Sequence, residues 1–269
     1  MKNLSRYVIG ITTVDRKERD SSKKNYIQQT VENLIAVGAL DYQDTQLIVS
    51  DSGSKSEEYL QFLYPLSEKY NGRIHLLHAK RKLTANENVA KVIRYASEYS
   101  SEYVMYTQDD AIYRPTLMPN VDHFVKKYPS HPIWSFHAVY EEVLRNARKG
   151  KDYYRYPYGD FYGSICYVMR REISARWANH LQWIYENQSD PIGADMYLGR
   201  WLKREFPSQN IAQSCPCFAQ HVGRSSVICA GDRPITNQSF NPFFLKPECK
   251  KYYEMVEDID WNRGEFTWK

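Results

Sequence analysis

Two loops are missing from this chain, and their absence shapes every functional reading of it. No G-x-G-x-x-G follows the first strand-like segment, and no G-x-x-x-x-G-K-[ST] occurs anywhere in the 269 residues. Both loops cradle phosphates on backbone N–H groups, so a nucleotide bound here is held in some other way. Charge of one sign is scarce too. A formal net charge of +4 is too weak to argue for nucleic acid. The small basic groups (Lys23 and Lys24, Lys80 to Lys82, 145–151, Lys250 and Lys251) read as solvated faces. No apolar run approaches the length needed to cross a bilayer, and no signal peptide precedes the first strand-like segment. The expectation is a cytoplasmic chain with no membrane span. Cysteine is sparse as well: Cys166, Cys215, Cys217, Cys229 and Cys249 make no even set. Cys215-Pro216-Cys217 is too tight for a zinc knuckle. Reduced structural thiols are expected, with a disulfide at Cys215 or Cys217 left open.

What remains is ordinary globular material, 42% hydrophobic and 25% charged, long enough for one large core. The 23 tyrosines offer rings with a polar edge, suited equally to sugar stacking and to core or interface packing. Apolar, β-branched runs at 7–14, 45–51, 73–78 and a fourth ending at Asp109-Asp110 read as buried strands. Helical spacing is expected between them, from Tyr26 to Ile35, over 56–70 (with Pro65 a candidate break) and over 86–99. Strands alternating with helices predict a parallel sheet with crossover helices. The second half is less regular: helices over 118–128 and 173–187, another opening at Asp195, and strands over 133–139 and 163–169. After Arg224 only 247–255 has any regularity, and no repeat or linker divides the chain.

The run Tyr103-Val104-Met105-Tyr106-Thr107-Gln108-Asp109-Asp110 ends abruptly on two adjacent carboxylates. In an open α/β sheet, ligands bind beyond the carboxyl ends of the strands. Carboxylates buried there need cations or donors to offset their lost hydration. Polar groups end the other strands too: Thr12, Thr13, Asp15 and Arg16 after the first, Asp51 after the second. Asp195 begins a helix, and His221 lies in a strand-like exit, Cys217 to Gly223.

In this order of elements and motifs the chain resembles the GT-A fold glycosyltransferases that use nucleotide sugars. Three details carry the likeness: the start of strand one, Asp51 at the base-contacting strand end, and the acidic doublet where that family has D-x-D or E-D-D. Gln220-His221-Val222-Gly223 with Ser225 and Ser226 is similar to the C-terminal histidine segment of N-acetylglucosaminyltransferase IV-type enzymes. The resemblance implies one α/β domain, a mixed, mainly parallel GT-A (Rossmann-like) sheet flanked by helices. Residues 1–115 would form its nucleotide-binding half and 116–269 its acceptor-binding half. It implies a metal-dependent, inverting enzyme moving a sugar from a nucleotide sugar, a UDP-sugar by preference, to a saccharide hydroxyl.

By the same resemblance Asp110 binds Mn²⁺ or Mg²⁺ and Asp109 contacts ribose or sugar hydroxyls. Asp51 accepts from a uracil N3–H, Asp195 deprotonates the acceptor, and His221 completes the metal shell. Glu186 and Asp190 are runner-up bases. Thr12, Thr13, Asp15, Arg16, Arg81 and Asn86 are read as donor-pocket residues, and Gly163 as a point of close backbone approach. Trp134, Tyr158, Tyr162 and Trp183 are candidate acceptor platforms. The metal reading has independent sense, because hard cations want carboxylate and phosphate oxygens together and stabilise a departing diphosphate. Each residue also has a plainer reading. Asp109-Asp110 and Asp195 suit helix caps, Asp51 beside Ser52-Gly53 suits a turn, and a lone histidine suits a structural hydrogen bond. Gln108 stands where the family has its first acid, which favours a non-catalytic sugar-binding module as the alternative. A sugar-1-phosphate nucleotidyltransferase would need a Gly-rich first loop that 10–16 lacks.

Overall fold

The computed structural model describes residues 4–15, 25–55, 58–115, 117–137, 146, 149–158, 161, 165–188, 192–215, 217–221, 259–260 and 265–266. The first half alternates as its periodicity predicts: β1 (Ser5–Thr13), α1 (Tyr26–Ala36), β2 (Gln46–Asp51), α2 (Leu63–Lys69), β3 (Ile74–His78), α3 (Ala85–Tyr99) and β4 (Ser100–Gln108). Then follow β5 (Ala111–Tyr113), α4 (Leu117–Lys127), β6 (Ile133–Ser135), β7 (Tyr153–Tyr156), β8 (Cys166–Arg170), α5 (Arg171–Asn187), α6 (Ala194–Glu205), β9 (Ile211–Ser214) and β10 (Ala219–His221). β11 (Ile259–Asp260) and β12 (Glu265–Phe266) pair only with each other.

Eight strands form one sheet in the order β3-β2-β1-β4-β8-β6-β9-β7. β1 is central and pairs in parallel with β2 and β4, and β2 pairs in parallel with β3. β8 and β7 run against their neighbours, which makes the sheet mixed but mostly parallel. A parallel strand covered on both faces must be apolar on both, and all six residues of β2 are buried. One face buries Ile9, Val31, Leu34, Phe124 and Trp134 under α1 and α4. The other buries Val92, Ile93, Trp177, Leu181 and Leu198 under α3, α5 and α6. α3 lies so close to β1 that a Cβ on Gly10 would sit 3.1 Å from Val92 Cγ2.

Several local expectations change. The helix over 56–70 is a 3₁₀ turn (Glu58–Leu60) followed by α2. Pro65 does not break it, because it falls in the first turn of α2, where an N–H is not needed. The acidic doublet caps no helix: it makes a turn into β5, which pairs antiparallel with β10. The cap of α3 is Thr84 in a capping box with Glu87. β7 and β9 had no sequence signal. Both are four-residue strands whose partners are far away in the chain. Cys166, Cys215 and Cys217 are buried free thiols, and burial pushes the Cys215 thiol up to about 12. Among the described residues no helix is long and apolar enough to cross a membrane. The regular stretch at 247–255, Arg16, Tyr162, Gly163 and Asp190 lie outside the described residues.

Candidate active site

The carboxyl ends of β2, β1 and β4 lie side by side, and each ends in polar groups. Register puts Thr13 opposite Asp51 on one side, and Thr12 opposite Gln108 on the other. Residues alternate faces along a strand, so Thr12 and Thr13 address different partners. The Thr13 hydroxyl donates to Asp109 Oδ2 at 2.8 Å, whereas Thr12 Oγ1 lies 2.9 Å from the Tyr106 hydroxyl. Buried Asn88 staples the two strand ends beneath: its amide donates to Ser50 O at 2.9 Å and to Thr13 O at 3.4 Å.

Asp51 is fully buried, and four donors of its own loop converge on it. Gly53 N (3.0 Å), Ser54 N (2.9 Å) and the Tyr59 and Ser54 hydroxyls donate to its carboxylate, with His78 Nδ1 2.8 Å from Oδ2. A carboxylate has about four lone-pair sites, so these groups saturate it. The carboxylate holds a tight loop. Burial, reinforced by the Asp51 charge, keeps the Tyr59 phenol well above its ordinary range. Gly53 sits in this loop at φ +80°, and a Cβ there would lie 2.0 Å from Arg81 O. The loop after β2 is thus pressed against residues 79–83, with Leu83 N donating to Ser52 O at 2.8 Å. Asp15 N donates to Ser54 Oγ at 2.9 Å, bringing the end of β1 to the same loop.

Asp109 and Asp110, each 3% exposed, form the turn between β4 and β5. The Thr30 hydroxyl, reaching from α1, binds the carbonyls of Asp109 and Ala111 at 2.7 and 2.8 Å and fixes this turn. β10 then places the backbone of His221 opposite Ala111, one residue beyond Asp110. That brings a residue from more than a hundred positions later to the acidic turn; its side chain lies outside the described part of the molecule.

Asp195 is in the first turn of α6, behind the N-cap Gly193, and is half-buried. Its Oδ1 accepts from Met196 N at 2.9 Å. Tyr106 shows which groups share this rim. The phenol is raised above its ordinary range first by burial and then by the charges of Asp109, Asp195 and Asp110. The charges of the turn after β4 and of the start of α6 thus both bear on the Tyr106 phenol. That tyrosine was not among the sequence candidates. The available signal was its position two residues before Gln108, hence on the same face of β4.

The remaining candidates separate. Arg81 is 68% exposed at its side chain and forks onto Glu87 through both terminal nitrogens. Asn86 Nδ2 donates to Ile192 O at 2.9 Å. Glu186 is exposed and takes the Gln182 amide at 2.6 Å. Trp134 and Tyr158 are buried in the core, whereas Trp183 is 51% exposed.

No family model matches the chain, and no curated protein matches it. Solved structures do. Its fold is similar to S. aureus TarS 1–349 in complex with UDP-GlcNAc, with a TM-score of 0.53 at 11% identity over 96% of this chain and 69% of that one. Against TarS 1–349 in complex with UDP the TM-score is 0.52 at 12% identity, over 80% of this chain. The chain spans 59% of that second structure and 37% of the longer TarS structure. At such identity the likeness concerns architecture: this is the mixed, mostly parallel sheet of a GT-A-like, Rossmann-like single domain.

Proposed function

We propose that this chain is a metal-dependent, inverting glycosyltransferase that moves a sugar from a UDP-sugar to a saccharide hydroxyl. The observation that carries the reading is the buried acidic turn at the carboxyl edge of the sheet, where the Thr13 hydroxyl at the end of β1 donates to Asp109 Oδ2 at 2.8 Å; the charges of Asp109, Asp110 and Asp195 all bear on the Tyr106 phenol. The TarS structures with UDP and UDP-GlcNAc support uridine as the nucleotide.

In this reading residues 1–115 hold the donor and 116–269 the acceptor. The loop that Asp51 shapes, with Thr12, Thr13, Asp15, Arg16 and Arg81, forms the nucleotide side. Gly163 keeps its reading as a point of close backbone approach for the sugar. Asp109 takes sugar or ribose hydroxyls. Two adjacent buried carboxylates fit a hard divalent cation. Among the described residues no three His, Cys, Asp or Glu side chains converge on one point; Asp110, with His221, would hold the ion. Bound there, Mn²⁺ or Mg²⁺ neutralises charge on the leaving diphosphate.

Asp195 does the proton chemistry. Its place at a helix N-terminus and the Met196 N–H favour the ionised form, which a base must have at the outset. It takes the proton of the acceptor hydroxyl. That oxygen bonds to the anomeric carbon from the face opposite the nucleotide, and UDP leaves with the electrons of the broken carbon–oxygen bond. Configuration inverts once. Titration of UDP with Mn²⁺ or with chelator tests the site. The expected result is metal-dependent binding that Asp110→Ala abolishes, and unchanged affinity of that variant in Mn²⁺ overturns the assignment.

A further inference from the structure

We propose that Asn86 is a positioning residue whose side-chain amide clamps the segment that presents Asp195. The inference deepens the glycosyltransferase reading and rests on it. Asn86 is the second residue of α3, where polar side chains ordinarily serve the cap. Here Thr84 and Glu87 already perform that task reciprocally, which leaves Asn86 for other work. Its Nδ2 donates to Ile192 O at 2.9 Å, a contact between residues 106 positions apart.

Ile192 is three residues before Asp195 and adjoins Gly193, the N-cap of α6. Holding the Ile192 carbonyl therefore fixes the point from which the helix starts. A second device acts at the next residue. A Cβ on Gly193 would lie 2.6 Å from Asp195 Oδ1, so a side chain there would push the carboxylate off its contact with Met196 N. The Gly193 carbonyl meanwhile accepts from Tyr197 N at 3.2 Å and closes the first turn. Backbone clamp and missing side chain together set where the carboxylate stands.

The clamp also joins the two sides of the cleft. α3 begins right after residues 79–83, which the loop of Asp51 grips through Leu83 N–Ser52 O and Ala79 N–Asp51 O. The element that grips the donor-side loop at its start thus also holds the approach to α6. A general base displaced by about 1 Å loses up to roughly a hundredfold in rate. This is an effect on turnover, with no demand on nucleotide affinity.

The test compares wild type, Asn86→Ala and Gly193→Ala by three measurements: UDP affinity in Mn²⁺, amide hydrogen exchange over residues 192–197, and turnover of UDP-GlcNAc. For Asn86→Ala the expected results are UDP affinity within twofold of wild type, at least tenfold faster exchange confined to 192–197, and kcat lower by roughly ten- to a hundredfold with donor KM unchanged. Gly193→Ala keeps the clamp but crowds the carboxylate, so it should lose turnover without the faster exchange. Wild-type exchange over 192–197 in Asn86→Ala overturns the proposal, as does a loss of UDP affinity equal to the loss of kcat. A wild-type protein that turns over no nucleotide sugar counts against the glycosyltransferase reading, and exchange alone then decides the clamp.

Discussion

Asp51 and the pair Asp109-Asp110 look alike in the sequence, since each ends an apolar strand on acid. In the fold they stand two strands apart at one edge of the sheet, and all three are buried. Their surroundings differ. Asp51 is enclosed by its own loop, with donors from Gly53, Ser54 and Tyr59. The Thr13 hydroxyl donates to Asp109, Thr30 holds the main chain of the turn, and the charges of the pair add to that of Asp195 on the Tyr106 phenol. A carboxylate saturated by local donors shapes a loop. Adjacent carboxylates gathered at one rim build negative potential, which favours a cation. The contrast teaches that a strand ending on acid marks a rim, while the neighbours of the acid decide whether it serves stability or chemistry.

Three variants sharpen or break this contrast. The largest effect belongs to Asp195→Asn, which keeps size and removes basicity. Transfer should fall by about a hundred- to ten-thousandfold with UDP affinity in Mn²⁺ intact, measured by steady-state kinetics and titration. Full activity in that variant removes Asp195 from the proton step. Next comes Asp51→Ala, which strands several buried donors at once. A buried partner removed in this way costs about 3 to 5 kcal/mol, read from denaturant midpoints. Asp110→Ala should cost less stability, because it thins the negative charge that Asp109, Asp110 and Asp195 concentrate at this rim. If the two alanine variants unfold alike, the division between a loop-shaping acid and a rim acid is wrong.

Much of the fold was legible because its signals are local. Buried runs such as 46–51 and the helical spacing of Val89, Val92, Ile93 and Ala96 follow from which faces are covered, and the structure buries those residues. The carboxylates at the rim were legible for the same reason, since a strand that stops on acid is a local event. What could not be read was set by distant partners. The pairing of β5 with β10 depends on residues a hundred positions apart, and β7 and β9 are too short to show a period. Asn86 illustrates the point. From the sequence it was read as a donor-pocket residue, yet its amide goes to Ile192 O. Thr84-Ala85-Asn86-Glu87 did contain the better signal, a capping box that starts the helix at Ala85.

The smallest effect concerns the opposite end of β2, where no rim exists. There His75 Nε2 lies 2.9 Å from Gln46 Oε1, between edge strand β3 and β2, and its ring tilts against Tyr99. Burial lowers its pKa below the ordinary 6.5. The unfolded chain then binds the proton more readily than the folded one, so stability rises with pH through this window. Contributions from His75 are complete above pH 6.5, fall as pH drops below it, and level off once the folded ring is also protonated. His75→Gln should therefore flatten the stability profile below about pH 6.5 while leaving UDP affinity in Mn²⁺ unchanged, because this end of the strand is remote from the acids. Urea midpoints at a series of pH values measure the slope. An unaltered slope assigns the proton uptake to another group. Altered UDP affinity would mean that the two ends of β2 are coupled, and the separation of structural from functional acids would then need to extend along the whole strand.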